Sequence, residues 1–237
     1  MKYKNLIIIG TSHIAKQSVD EVKELIEQEK PEIIALELDH RRLSALLNKN
    51  TGTKVGIKNI FKIGIKGYFF VKIGGWAEKK LGKIVGVAPG TEMLTAYELA
   101  KQKKIKVFLI DQDIEVTLKR FSKSLSWKEK WNFVVDVFKT SIFRKGQKFD
   151  LSKVPSKKII RGLLEEVKKR YPNVYKVLVK ERNYAIAKNL HTIMKQEQEK
   201  KIIAIIGAGH EEEVVELIKK HEKNLVEHIH YSYSFSE

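Results

Sequence analysis

Four short apolar runs stand out along the chain: NLIIIG at 5–10, EIIALEL at 32–38, IKVFLI at 105–110 and IIAIIG at 202–207. Within each run the apolar positions are nearly continuous rather than alternating. That is the pattern of strands buried on both faces. Between the runs, apolar residues recur at helical spacing and are bounded by start and stop signals. Ser18-x-x-Glu21 is a capping box that predicts a helix to about Glu29, closed by Pro31. Asp39 is placed to cap a helix over 40–48. Pro89-Gly90 predicts a turn, with Thr91 capping a helix over 92–103. Strands alternating with helices predict an α/β fold with a mainly parallel central sheet flanked by helices.

Two segments break this rhythm. Residues 49–87 hold nine Lys and one acid, Glu78. Lys54, Lys58, Lys62 and Lys66 recur every fourth position among Ile57, Ile60, Phe61, Ile65, Phe69 and Phe70. This predicts a basic amphipathic helical segment. The plain reading is a cover helix with a solvated lysine face; the sharper one is contact with an anionic membrane surface. Residues 114–200 are almost wholly helical in pattern. Ser126-x-x-Glu129 is a further capping box, Pro155-Ser156 opens another helix, and Pro172 starts a long one reaching about Glu199. This block is a large helical insertion between the third and last strands, or a small second lobe, in what is otherwise a single domain over 1–237.

Composition narrows the chemistry. The chain carries 39 Lys but only 7 Arg, for a net charge of +17. Readers of bases and phosphates rely on arginine forks and stacked aromatics, so dispersed lysine argues for a solvated surface and against nucleic acid as the main partner. The absence of cysteine excludes disulfides and thiolate metal sites and fits a reducing compartment. No apolar stretch reaches the ~18 residues of a membrane span. Leu6-Ile7-Ile8-Ile9 is too short for the core of a signal peptide. The expected location is cytoplasmic, with membrane association if the chain is cut from a longer protein. A homo-oligomer is compatible with these patterns.

Candidate chemistry gathers where the strands end. In open parallel sheets, ligands bind outside the carboxyl ends of the strands. His13 and His210 each close a Gly-x-x-His device, after Gly10 and Gly207, whose lack of a Cβ lets each strand turn sharply. Glu37 interrupts an apolar run and, once buried, needs a cation or a metal; a structural salt bridge is the plain alternative. Asp111 and Asp113 follow the third run. Arg182 has Leu178, Val179, Ala185 and Ile186 as its helix neighbours, so it needs an acid or an anionic ligand; pairing with Glu37 or Asp111 would merely hold the fold together. Glu92 falls in a first helical turn, where an acid also suits the helix dipole. Glu211, Glu212 and Glu213 put His210 at a helix N-terminus, which favours its neutral form. Two histidines and two carboxylates without cysteine suit zinc, manganese or cobalt. Without a metal, the same groups form a Glu/His acid–base pair. Both lead to hydrolysis. There is no Gly-x-Ser-x-Gly elbow and no phosphate loop ending in Gly-Lys-Ser/Thr.

In order, GTSH (10–13), ALELDHRR (35–42), PGTEM (89–93), LIDQDIEVTLKR (109–120), KERN (180–183) and IIGAGH (205–210) resemble the TraB/PrgY pheromone-shutdown family and its Tiki-type metalloprotease relatives. The resemblance implies a fold like that of the erythromycin-esterase and haem-uptake ChaN-like proteins. It also implies a site built from His13, His210, Glu37 and Glu92, with Arg182 matching the arginine of the family's Glu-Arg-Asp segment. Arg42 and Asp111 fall within the matching segments as supporting residues. Asn183 departs from the pattern where Asp is usual, which removes an acid from that position. The implied activity is metal-dependent hydrolysis of peptides; the alternative is a module that binds and sequesters peptide without cleaving it.

Overall fold

The computed structural model describes residues 1–11, 16–48, 90–143 and 156–233. The basic segment 49–87, Pro89 and His13 therefore lie outside the described residues. The described strands form one five-stranded sheet: β1 (Lys2–Tyr3), β2 (Leu6–Thr11), β3 (Ile33–Leu36), β4 (Lys106–Leu109) and β5 (Ile202–Gly207), in the order β1-β2-β5-β3-β4. All neighbours are parallel except the short edge pair β1–β2. The four apolar runs are thus the four parallel strands. The antiparallel β1 has no sequence signal of its own, because two residues cannot show a period.

Side-chain alternation divides each strand between two cores. Leu6, Ile8, Ile33, Ala35, Ile202, Ala204 and Ile206 face one side. There they meet α8 (Glu181–Gln196) through Ile186 and Leu190, and α9 (Glu211–Tyr233) through Val214 and Ile218. Ile7, Ile34, Leu36, Ile203 and Ile205 face the other side. Here the cover comes from Val22 and Ile26 of α1 (Lys16–Glu29), Leu43 and Leu46 of α2 (His40–Leu47), and Met93, Ala96 and Ala100 of α3 (Thr91–Gln102).

This distribution creates the crevice that matters. The helices following β2 and β3 cover one face, while the helix following β5 covers the other. Strand β5 lies between β2 and β3. The chain therefore departs in opposite directions from the carboxyl ends of adjacent strands, which is the topological switch point of an open α/β sheet.

Helix ends follow the sequence closely, with two differences. Asp39 caps α2 by accepting from the backbone N–H groups of Arg41 and Arg42. However, α1 already begins at Lys16, so Ser18 lies fully buried inside the first turn rather than capping it. Gly90, not Thr91, caps α3, with φ of 78°. A side chain there would be strained, and its Cβ would come within 3.0 Å of Leu46.

The described residues between β4 and β5 are mostly helical. The chain runs through α4 (Ile114–Ser124), α5 (Trp127–Phe143), α6 (Lys157–Arg170) and α7 (Pro172–Tyr175) before α8. A π-helical turn, Lys176–Lys180, joins α7 to α8, and Glu181 N–H donates to the Lys176 carbonyl five residues back. The run predicted from Pro172 is therefore continuous, but its phase is reset immediately before Arg182 and Asn183. Because α8 packs on the sheet, the end of this block is a layer of the core.

Candidate functional site at the carboxyl edge

The site begins with a buried carboxylate. Glu37 lies one residue beyond β3, and its N–H still bonds the Ile205 carbonyl of β5 at 3.1 Å. Its side chain is 1% exposed. Gly207 N–H donates to Oε2, and Arg182 Nη2 donates to Oε1. Asp111, at the end of the next strand, is equally enclosed at 2% exposure. Its Oδ2 accepts from Arg182 Nη2 and from Arg42 Nη1, both at 2.7 Å. Arg42 Nη1 also reaches the Glu37 carbonyl at 3.3 Å. Two buried carboxylates thus face two guanidiniums. Burial works against the charge on Arg182, but Glu37 and Asp111 outweigh it and hold that group well above its ordinary pKa.

His210 completes the described cluster. It follows β5 in a tight turn, where its N–H bonds the Gly207 carbonyl at 2.9 Å, and it immediately precedes α9. Its Nε2 lies 3.5 Å from Glu37 Oε1 and 3.5 Å from Arg182 Nη1. Its Nδ1 faces Asn183 Oδ1. Asn183 is fully buried, and its Nδ2 donates to Glu213 Oε2 at 2.7 Å. Asn189 of α8 ties the helix to the same edge by donating to the Ile110 carbonyl at 2.9 Å.

The structure therefore brings together Glu37, Asp111, Arg42, Arg182 and His210. Glu92 is buried at 1% exposure in the first turn of α3. Since α3 leads into the amino end of β4, that turn lies toward the carboxyl edge. Asp113 serves instead as the N-cap of α4, accepting from Glu115 N–H at 2.7 Å. Gly10 supports the edge sterically, because a Cβ there would lie 3.0 Å from both Ala208 Cα and Glu211 Oε2. Strands β2 and β5 run in register with Thr11 beside Gly207, so the two Gly-x-x-His devices leave neighbouring strands one residue out of step.

In the sequence Asn183 stands out only as a departure from a family pattern and Glu213 only as a first-turn helix acid, and their contact is not evident from either. The available signal was local: Asn183 adjoins Arg182 on the same helix, and Glu213 stands three residues after His210.

Among the described residues no three His, Asp or Glu side chains are grouped to hold a metal ion. His210 Nε2 and Glu37 Oε1 are nevertheless spaced as two ligands of one ion would be. Their chemistry, one imidazole and one carboxylate, suits zinc, manganese or cobalt.

An open, doubly wound α/β sheet with a buried carboxylate–guanidinium–imidazole cluster at its switch point defines the class. The chain matches the TraB/PrgY/gumN family model over residues 2–225. It is also 35% identical, over 221 residues, to an uncharacterized protein of Methanocaldococcus jannaschii. That alignment covers 91% of this chain and 54% of the relative, so the chain spans about half of that protein's length. The chain belongs to the TraB/PrgY/gumN family. No helix among the described residues is long and apolar enough to cross a membrane.

Proposed function

We propose that this protein is a metal-dependent hydrolase acting on peptides, with its reaction centre between His210 and Glu37. The observation that carries the reading is the 3.5 Å approach of His210 Nε2 to Glu37 Oε1 at the switch point, with Arg182 beside both. A divalent ion would be held by His210, Glu37 and His13, and would supply a water acidic enough to attack near neutral pH. Glu92, buried at the start of α3, would serve as the acceptor of the water's proton or as a further ligand. Arg182 would offer Nη1, the nitrogen beside His210 Nε2, to the carbonyl oxygen as negative charge develops or to a substrate carboxylate, while Nε and Nη2 stay on Asp111 and Glu37. The positive surface favours acidic peptides or peptide C-termini.

The charge balance of the cluster, two guanidiniums against two carboxylates, supports a second reading: a peptide-binding module without turnover. The two separate on product formation. Incubating a defined peptide pool with the metal-loaded protein, and following it by mass spectrometry, should show new termini with wild type and none with Glu37→Gln or His210→Ala. A wild type that retains peptide on gel filtration, yet yields no cleaved product, would favour the binding module.

A further inference from the structure

We infer that Asn183, oriented by Glu213, fixes the tautomer of His210, placing the proton on Nδ1 and leaving the Nε2 lone pair bare toward the reaction centre. The inference rests on the reading of His210 as the working imidazole, but its central observable does not depend on turnover.

The carboxylate of Glu213 only accepts, and its Oε2 lies 2.7 Å from one end of the Asn183 amide. That end must be the NH2 group. The opposite end, facing His210 Nδ1, is then the amide oxygen, which has no proton to give. A contact between that oxygen and Nδ1 requires the proton to sit on the ring nitrogen. A neutral imidazole has only one such proton, so Nε2 carries none.

The far side of the ring permits the same assignment. Nε2 lies 3.5 Å from Arg182 Nη1, a group that donates and never accepts. Glu37 Oε1, also 3.5 Å from Nε2, accepts from Arg182 Nη2. At that distance the guanidinium is compatible with an unprotonated Nε2 but does not hold it so, which leaves Asn183 to set the tautomer. Glu213 is itself anchored, with Tyr175 OH 3.5 Å from its Oε2. Glu213, Asn183 and His210 thus form a relay of orientation across α8, α9 and the β5 turn.

An amide here fixes the ring without adding a negative charge beside it. Metal-ligating histidines use this arrangement, with the second ring nitrogen held by an acceptor. Asn183 is accordingly a positioning residue that acts through His210.

The test is long-range proton–nitrogen correlation NMR on the full chain, labelled with nitrogen-15 histidine, metal-free and at alkaline pH. His210 is assigned among the seven histidines by its loss in His210→Gln. Wild type should show a protonated Nδ1 and a bare Nε2 at His210. Asn183→Leu should release the ring to the commoner Nε2–H form, whereas Asn183→Asp, which keeps an acceptor oxygen, should retain Nδ1–H. An Nε2–H tautomer in wild type overturns the inference, and this spectrum stands even if Asn183→Leu does not fold. An unchanged tautomer in a folded Asn183→Leu protein overturns it equally. The expected tautomer in a protein that cleaves no peptide would count against the proposed hydrolysis alone.

Discussion

Arg182 grips Asp111 through a fork, with Nε 3.1 Å from Oδ1 and Nη2 2.7 Å from Oδ2, across 71 positions of sequence. The same guanidinium bonds Glu37, so one side chain of α8 compensates carboxylates at the ends of two adjacent strands. Removing it would leave two buried acids with part of their charge unopposed. Arg182→Met should therefore destabilise the fold by about 3–5 kcal/mol, read from urea unfolding. Arg182→Lys should cost less, because an ammonium restores the charge without the fork. Equal stability of Arg182→Met and wild type would mean that the two carboxylates are neutral or solvated.

A second knot lies away from the site. Glu129 Oε2 accepts from Ser126 N–H at 2.9 Å and Ser126 Oγ at 2.8 Å; its Oε1 accepts from Asn173 N–H at 2.7 Å. One carboxylate thereby joins the first turn of α5 to that of α7. Burial pushes its pKa up, but the bonds from Asn173 and Ser126 outweigh burial and hold it below the ordinary 4.5. A depressed carboxylate stabilises fully above its unfolded pKa and loses that contribution as pH falls through the folded value. Glu129→Ala should cost about 1.5–3 kcal/mol at neutral pH. The difference from wild type should shrink below pH 4.5. Thermal melts of both proteins across that range would show it.

The interface of α8 and α9 is sensitive to acid in a higher window. His191 stacks on His221 with ring centroids 6.0 Å apart, and both His191 ring nitrogens are buried with no hydrogen-bond partner among the described residues. Burial lowers the His191 pKa below its ordinary 6.5, against the pull of Glu222, while His221, Lys195 and Lys4 add to the lowering. The unfolded chain then binds the proton more readily than the folded one. Stability is complete above the unfolded pKa and is lost as pH falls below 6.5 through the folded value. Tm should drop between pH 7.5 and 5.5, and His191→Leu should flatten that drop. An identical pH slope in the variant would rule out His191 as its source.

Much of this arrangement was legible in the residues. Continuous apolar runs marked the parallel strands, because burial on both faces removes the polar alternation that would otherwise mark a surface strand. Glu37 and Arg182 announced their pairing because each sits among apolar neighbours where a lone charge is costly. The order β2-β5-β3 was not legible: all four strands are similarly apolar, so composition carries no information about neighbours. Neither was the Asn183–His210 contact, which depends on a π turn re-phasing the helix just before Arg182. Ser18 misled for a related reason. Its capping pattern is real, but the helix continues upstream of it to Lys16 and Ser18 is buried in the first turn.

Metal content tests most directly the proposal that His210, His13 and Glu37 hold a catalytic metal ion. Elemental mass spectrometry would compare wild type with His13→Ala/His210→Ala, each purified without a histidine tag or chelator and then incubated with zinc, manganese and cobalt in turn. The expected result is near-stoichiometric metal in wild type that the double variant loses while remaining folded. Wild type that stays empty after incubation with all three metals would contradict the claim.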